Sequence, residues 1–134
     1  MVASELTDAD LILVEMARQA QTHSHAPHSN YHVGAALRGK GGRLFKGCNV
    51  EHIVMSESCC AEKVVLYKAI SEGEKEFDAI AIWTDSSPPA APCGSCRQLL
   101  HSWKIGKVIL ANPQGELLTC ESSALLPLPF ELDQ

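Results

Sequence analysis

Three cysteines stand in a pattern that can hold a metal ion. Cys93 and Cys96 form a C-x-x-C pair, which by itself is typical either of a thioredoxin-like redox pair or of half a zinc site. Pro92, rather than an aromatic residue, precedes the pair, and Cys60 lies further upstream at the start of a predicted helix. The third cysteine therefore favours a zinc site over a redox pair.

The number of cysteine ligands predicts the kind of metal site. Cys60 precedes one predicted helix, Cys93 and Cys96 begin another, and a helix N-terminus stabilises a thiolate. Three protein ligands leave the fourth tetrahedral position of Zn²⁺ open to water, as in catalytic sites, whereas a structural site needs a fourth ligand. None of the six His residues stands at a matching spacing. We therefore expect one catalytic Zn²⁺ per chain.

Glu62 follows Cys60 by two residues, in the first turn of the predicted helix. There its carboxylate can reach over the metal without ligating it, take a proton from water and deliver it to a leaving amine. The alternative is a solvated acid that only complements the helix dipole. Because a structural zinc module has no use for this carboxylate, Glu62 favours an enzyme over a structural or binding module. A redox protein built on Cys93 and Cys96 is the third alternative.

The remaining cysteines have simpler interpretations. Without an export signal, they are expected to be reduced thiols. Cys48 and Cys120 adjoin apolar, strand-like stretches and are expected to fill core as small hydrophobic residues. Cys59 neighbours Cys60 but does not stand two residues before Glu62 as Cys60 does, so we expect it to be packed or spare.

Length and charge narrow the class of protein. A chain of 134 residues fits one domain, residues 1–134, and a formal charge of −5 with a pI near 5.6 disfavours binding to a nucleic-acid polymer. No apolar run reaches membrane-spanning length, and residues 1–10 lack the cationic start of a secretory signal. The expectation is a cytoplasmic protein that acts on a small molecule, without a membrane or nucleic-acid partner.

Local patterns predict the elements that position these residues. Apolar periodicity predicts helices over 5–22, 60–70 and 93–103, a short helix over 121–126, and strands over 33–37, 44–50, 77–83, 107–111 and 116–120. Thr7 is the predicted N-cap of the first helix, and Gly73 ends the second. An initial hairpin followed by alternating strands and helices predicts an α/β protein, a three-layer α/β/α sandwich around a mixed five-stranded sheet.

Longer segments carry a family resemblance. Cys-Ala-Glu at residues 60–62 and Pro-Cys-Gly-Ser-Cys-Arg-Gln at residues 92–98 resemble the signature of zinc-dependent nucleobase deaminases. With segments 33–37, 45–51, 69–73 and 125–127, the chain is similar over nearly its whole length to the small homotetrameric cytidine deaminases. The resemblance implies hydrolytic deamination of cytidine or deoxycytidine to uridine or deoxyuridine and ammonia, using zinc-activated water and Glu62 as proton shuttle. It also implies a homotetramer with a role in pyrimidine salvage.

The resemblance implies roles for residues that would bind the nucleoside. Asn49 and Glu51 match residues that hold the ribose 3′-hydroxyl and help to fix the base, and Ala61 matches the residue whose backbone N–H meets the pyrimidine carbonyl. Tyr31 stands where the family has a Phe that packs on the base. Phe130 follows Leu-Pro as the family's C-terminal aromatic residue does, and that ring enters a neighbouring subunit's site. Ordinary packing is the alternative for both aromatic residues.

The resemblance also covers residues beside the cysteines. Arg97 and Gln98 match residues that donate to the cysteine sulfurs, which matters because three thiolates leave a zinc site with net negative charge. Lys63 stands where the family has Arg, and its ammonium cannot make a bidentate contact with two sulfurs. Ile53 and Met55 replace a small and an aromatic residue, which alters the pocket but not the zinc chemistry.

The sequence alone is also consistent with a second substrate. Residues 49–52 and 60–66 also resemble blasticidin S deaminases, relatives with a larger cytosine-bearing substrate. The presence of Glu51 favours cytidine and deoxycytidine, whereas the adaptable side chain of Met55 could admit bulkier groups. The alternative function is therefore deamination of a modified cytosine nucleoside such as blasticidin S.

Overall fold

Three α-helices and five strands lie within residues 6–132, the part of the chain that the computed structural model describes. In chain order they are α1 Asp8–Gln21, β1 Gly34–Gly39, β2 Leu44–Cys48, α2 Ala61–Ser71, β3 Phe77–Trp83, α3 Gly94–Ser102, β4 Lys107–Ala111 and β5 Leu117–Cys120. Two 3₁₀ helices cover Met55–Glu57 and Ser122–Leu125. The predicted strands β3 and β4 have these bounds, and the other predicted elements are present with slightly shifted ends. Glu5, the predicted first residue of α1, lies outside the described residues.

The five strands form one mixed sheet in the order β2-β1-β3-β4-β5. Strands β3 and β4 are parallel, and the other neighbouring pairs are antiparallel. Alternate side chains of each strand point to opposite faces of the sheet. On β1, Ala36 packs with α1, whereas Ala35 and Leu37 pack with α2 and α3. The same alternation along β3 and β4 gives the two apolar layers of the predicted α/β/α sandwich.

The loops that carry most of the predicted site residues lie at one edge of the sheet. Gly34, at the start of β1, pairs with Cys48 at the end of β2 and with Trp83 at the end of β3. Trp83 in turn pairs with Ala111 at the end of β4. The segments 22–33, 49–60, 84–93 and 112–116 therefore all meet at this edge. The carboxyl ends of parallel strands are the usual place for a ligand in open α/β sheets.

The ends of α1 and α2 confirm the predicted caps. The Thr7 side chain accepts from the backbone N–H of Asp10 at 3.1 Å, and the Asp10 carboxylate accepts from that of Thr7 at 3.1 Å, forming a reciprocal capping box. Gly73 follows α2 with φ of +98°, a left-handed conformation that favours glycine. Gly34 is required for another reason, since a Cβ there would lie 1.9 Å from the Ala17 carbonyl oxygen.

A cluster of ion pairs fastens α1 to the sheet. The Asp10 carboxylate, 1% exposed, accepts from Arg38 of β1 at 3.0 Å and from Lys107 of β4 at 2.6 Å. Arg38 also donates to Asp78 of β3 at 2.8 Å. Despite the opposing effect of burial, donation from Lys107, Thr7 and Arg38 lowers the pKa of Asp10 to about 2.

Candidate active site

Two helix N-termini carry the predicted metal ligands. Cys60 is the N-cap residue of α2 and Cys93 that of α3, and neither side chain makes a capping hydrogen bond. Their sulfurs are therefore free to face each other. Cys96, buried in the first turn of α3, completes the group. The N-terminal position of all three favours the thiolate form, because the free N–H groups and the helix dipole stabilise negative charge.

The three sulfurs fit a zinc ion. All lie within 4.8 Å of one another, and the Sγ atoms of Cys60 and Cys93 are 3.9 Å apart. A tetrahedral ion with Zn–S bonds of about 2.3 Å sets its sulfurs about 3.8 Å apart. Among the described residues, this is the one group of at least three Cys, His, Asp or Glu side chains with such geometry.

The pKa values of Cys60 and Cys96 shift in opposite directions, because the two thiol groups share a hydrogen bond. Donation from the Cys96 thiol, aided by Cys93 and the charge of Lys63, lowers the pKa of Cys60 to about 6. The pKa of Cys96 is raised, first because its thiol donates to Cys60 and then because it is buried. The neighbouring thiol groups therefore favour a thiolate at Cys60. Zn²⁺ between the sulfurs would take the place of the shared protons, as metal binding to thiols generally does.

Glu62 lies in the first turn of α2, beside the sulfurs. Its side chain is 5% exposed and lines the same pocket as Cys60 and Cys93. Burial raises the pKa of Glu62 to about 7, because a low-dielectric surrounding disfavours the charged form. A carboxyl group with a pKa near neutrality can both accept and donate a proton at ordinary pH.

A pocket of about 320 Å³ opens in front of Glu62 and the sulfurs. This volume lies at the small end of the range for small-molecule sites. The walls are mostly apolar, and their two charged side chains, Glu51 and Glu62, are both acidic. The lining residues are Ser29, Tyr31, Val33, Asn49, Glu51, Cys60, Ala61, Glu62, Ile82, Thr84, Ala90, Ala91, Pro92 and Cys93.

Asn49 and Glu51 line the pocket but also hold segment 22–33 in place. The Asn49 amide donates to the Tyr31 carbonyl oxygen at 2.7 Å and accepts from the Val33 N–H at 3.0 Å. The Glu51 carboxylate accepts from the N–H groups of His28 and Ser29 at 2.9 and 3.0 Å, and from the Ser29 hydroxyl. These donors, above all the Ser29 hydroxyl, lower the pKa of Glu51.

Arg97 and Gln98 have partners other than those the sequence implied. The Arg97 guanidinium donates to the carbonyl oxygens of Pro92 at 2.7 Å and Leu125 at 3.2 Å. The Gln98 amide donates to the Phe130 carbonyl oxygen at 2.9 Å. Both residues thus hold backbone segments around α3, which leaves donation to the sulfurs as a prediction. Lys63 acts on Cys60 through its charge.

Phe130 does not line the pocket of its own chain. Its ring is 69% exposed and borders a separate cavity beside His101 and Lys104. The other cysteines, Cys48, Cys59 and Cys120, are half-buried and stand outside the sulfur group.

Several residues that line the pocket were not predicted from the sequence, and only one of them stands in a local pattern that could have indicated its position. Thr84 is a polar residue directly after the buried strand β3, at the sheet edge where ligands bind. Ser29, Ala90 and Ala91 lie in irregular loops whose course depends on tertiary contacts, so no local pattern marks them.

An open coordination position beside a buried carboxylate is the arrangement of a catalytic zinc site in a hydrolase. The family model described as the cytidine and deoxycytidylate deaminase zinc-binding region matches residues 7–112. The chain therefore belongs to this family of zinc-dependent hydrolases, and its cofactor is Zn²⁺.

Individual relatives agree with the family. A cytidine deaminase of Halalkalibacterium halodurans is 39% identical over 121 residues, which are 89% of this chain and 92% of that protein. A crystal structure of cytidine deaminase from Burkholderia pseudomallei superposes with a TM-score of 0.86 at 37% identity, covering 93% of this chain and all of that one. A blasticidin-S deaminase of Bacillus cereus is 30% identical over 97% of this chain and 98% of its own length. Within residues 6–132, no helix has both the length and the apolar character that crossing a membrane requires.

Proposed function

We propose that the protein hydrolyses cytidine and deoxycytidine to uridine and deoxyuridine with release of ammonia, and that residues 1–134 act as one catalytic domain. The observation that carries this proposal is the buried carboxylate of Glu62, which shares a small pocket with Cys60 and Cys93. A purely structural metal site would have neither an open pocket nor a need for this group.

The charge of the pocket supports a nucleoside rather than a nucleotide. Among the described residues, its walls carry the carboxylates of Glu51 and Glu62 and no Lys or Arg side chain. A phosphate group in a partly desolvated pocket needs cationic or N–H partners, and two carboxylates would repel it. The pocket volume of about 320 Å³ also suits a nucleoside-sized ligand.

The mechanism assigns proton transfer to Glu62. Bound at Cys60, Cys93 and Cys96, Zn²⁺ would acidify a water molecule and stabilise negative charge at the reaction centre. Glu62 accepts a proton from the attacking water and passes it to ring N3 of the cytosine. It then takes the proton of the new hydroxyl group on C4 and delivers it to the amine. The C4–N bond breaks as the C4 carbonyl forms, so that the water oxygen remains on C4 and ammonia leaves.

The remaining pocket residues orient the nucleoside. The backbone N–H of Ala61 is among the first in α2, where helical N–H groups lack an intrahelical partner, so it can donate to the pyrimidine carbonyl. Tyr31 offers an aromatic surface for the base. Asn49 and Glu51 present polar atoms to the ribose while they hold the loop of Tyr31. Arg97, Gln98 and Lys63 support the metal centre from outside the pocket.

Blasticidin S is the second candidate substrate. The similarity to the blasticidin-S deaminase extends along almost the full length of both chains. Ile53 and Met55, which are 81% and 69% exposed, stand where the family resemblance has smaller or flatter residues. These two side chains belong to the segment between the pocket residues Glu51 and Cys60, and they favour a wider tolerance for modified cytosines.

A homotetramer in a reducing compartment such as the cytoplasm completes the proposal. The exposed apolar side chains of Ile53, Met55 and Phe130 would be buried by neighbouring subunits, and a short chain gains from such burial. A site of three thiolates requires reduced cysteines.

Light scattering should give about four times the chain mass of 14.5 kDa. A stable and fully active monomer would contradict the assembly.

The substrate proposal is tested by following the loss of cytosine absorbance with zinc-loaded protein. Cytidine, deoxycytidine, deoxycytidine 5′-monophosphate and blasticidin S are compared at equal enzyme. We expect both nucleosides to react, the nucleotide to react far more slowly, and blasticidin S to react to some extent. Turnover of blasticidin S without turnover of cytidine would establish the alternative, and preference for the nucleotide would refute the argument from pocket charge.

A further inference from the structure

Segments 22–33 and 84–93 form two walls of the pocket, and a hydrogen bond between two hydroxyl groups joins these walls. Tyr31 belongs to segment 22–33, and Ser86 belongs to segment 84–93, which runs from β3 to the metal ligand Cys93. The Tyr31 Oη and Ser86 Oγ atoms are 2.7 Å apart. The family resemblance places a Phe at the position of Tyr31, and a Phe ring cannot make this bond.

Each partner is held independently on its own wall. The Tyr31 carbonyl oxygen accepts from the Asn49 amide, and the Tyr31 N–H donates to the Ser29 hydroxyl at 3.0 Å. The Ser86 carbonyl oxygen accepts from the amide of the buried Asn112 at 2.9 Å. With both backbones fixed, the bond between hydroxyl groups restricts the Tyr31 ring itself.

A second contact joins the same two walls. The Gln21 amide nitrogen donates to the His32 carbonyl oxygen and to the Asp85 carboxylate, each at 3.0 Å. Because this contact does not involve Tyr31, the walls stay connected when the Tyr31–Ser86 bond is removed. Loss of that bond therefore changes the freedom of the ring more than the position of the walls.

We propose that Ser86 is a positioning residue that acts through the Tyr31 hydroxyl, holding the ring ready to receive the cytosine base. This inference rests on the proposed function. A side chain that is already ordered loses less entropy when a ligand packs against it, so the bond strengthens substrate binding. The interaction is the same in the ground state and the transition state, so it should act on KM and leave kcat unchanged.

The test compares Tyr31→Phe, Ser86→Ala and the double variant in cytidine deamination. Each single change should raise KM about 3- to 10-fold, the effect of one neutral hydrogen bond, with kcat within about twofold of wild type. The double variant should resemble either single variant, because both remove the same bond. Tyr67→Phe is the matched control, since Tyr67 is half exposed on α2 and outside the pocket.

Three results would overturn the inference. They are an unchanged KM in Tyr31→Phe, multiplication of the two effects in the double variant, and a fall in kcat or zinc content in Ser86→Ala. The last result would mean that Ser86 only maintains the loop leading to Cys93. If the wild-type protein deaminates no cytosine nucleoside, the proposed function fails as well, and this outcome is distinct because it appears before any variant is compared.

Discussion

The side chain of Gln98 makes a pair of hydrogen bonds with the backbone of Phe130. Its amide nitrogen donates to the Phe130 carbonyl oxygen at 2.9 Å, and its amide oxygen accepts from the Phe130 N–H at 3.0 Å. His101 and Glu131 add a contact of 2.7 Å between the same two segments. The C-terminal segment is thus fastened to α3, the helix of Cys96, while the Phe130 ring points away from its own pocket.

Phe130→Ala should therefore weaken substrate binding without unfolding the protein. If the ring contacts a neighbouring subunit's substrate, its loss should raise KM for cytidine by about fivefold or more, as for truncation of an interface anchor. The far-UV circular dichroism spectrum should stay the same, because the ring is exposed within its own chain and contributes little to that chain's fold. Gln98→Ala should show part of the same increase in KM, since it frees the backbone of Phe130. An unchanged KM in Phe130→Ala would place this residue outside the substrate site.

Cys60→Ala should abolish tight zinc binding. It removes one of three ligands, and the remaining pair at the start of α3 cannot complete a catalytic site. Elemental analysis should find about one zinc per chain in the wild type and far less in the variant. Cys48→Ala and Cys120→Ala are the matched controls and should keep the metal, because both residues lie outside the sulfur group. Nitrogen ligands in X-ray absorption would contradict the three-sulfur site.

Glu62→Gln should leave the fold and the zinc content intact while removing the proton carrier. The amide has nearly the same shape as the carboxyl group but cannot accept the proton, so kcat should fall by a factor of about 10² to 10⁴ or more. Glu57→Gln, a change at an exposed position of the 3₁₀ helix before Cys60, should keep full activity. A Glu62→Gln enzyme within about tenfold of the wild type would assign proton transfer to another group.

Asp10→Asn should lower the free energy of unfolding at neutral pH. In the variant this free energy should also depend less on pH in the acid range. The carboxylate pairs with Arg38 and Lys107, and breaking a buried pair costs roughly 3 kcal/mol. Its pKa of about 2 in the folded state lies below the ordinary value of 3.8 for an aspartic acid side chain. The stabilisation is therefore present above about pH 4 and lost as the pH falls through about 2.

Urea unfolding of wild type and variant at pH 7 and at pH 2 to 4 measures this effect. The difference between the two proteins should shrink toward low pH, and acid release of zinc should be common to both. Asp8→Asn, an exposed change in the same helical turn, should show no such pH-dependent loss. A constant difference at all pH values would mean that Asp10 contributes through shape rather than charge.

The sequence by itself determined the elements and the chemistry of the metal centre. Strands β3 and β4 were bounded correctly because their apolar runs are local and contiguous. The N-cap at Thr7 could be predicted because its hydrogen-bond partner Asp10 lies within the same helical turn. The three cysteines could be recognised as a metal-binding group because zinc restricts both the residue types and their placement at helix starts, whereas the role of Glu62 stays a prediction.

Only the tertiary structure decided which distant side chains meet. Lys107 reaches Asp10 because α1 packs across one face of the sheet. Tyr31 reaches Ser86 because the sheet order brings the segments before β1 and after β3 to one edge. No local pattern encodes such a pairing, since each partner alone is an ordinary polar residue of a helix, strand or loop. The partners of Gln98 were decided in the same way, because the path of the C-terminal segment depends on its packing against α3 and not on its own sequence.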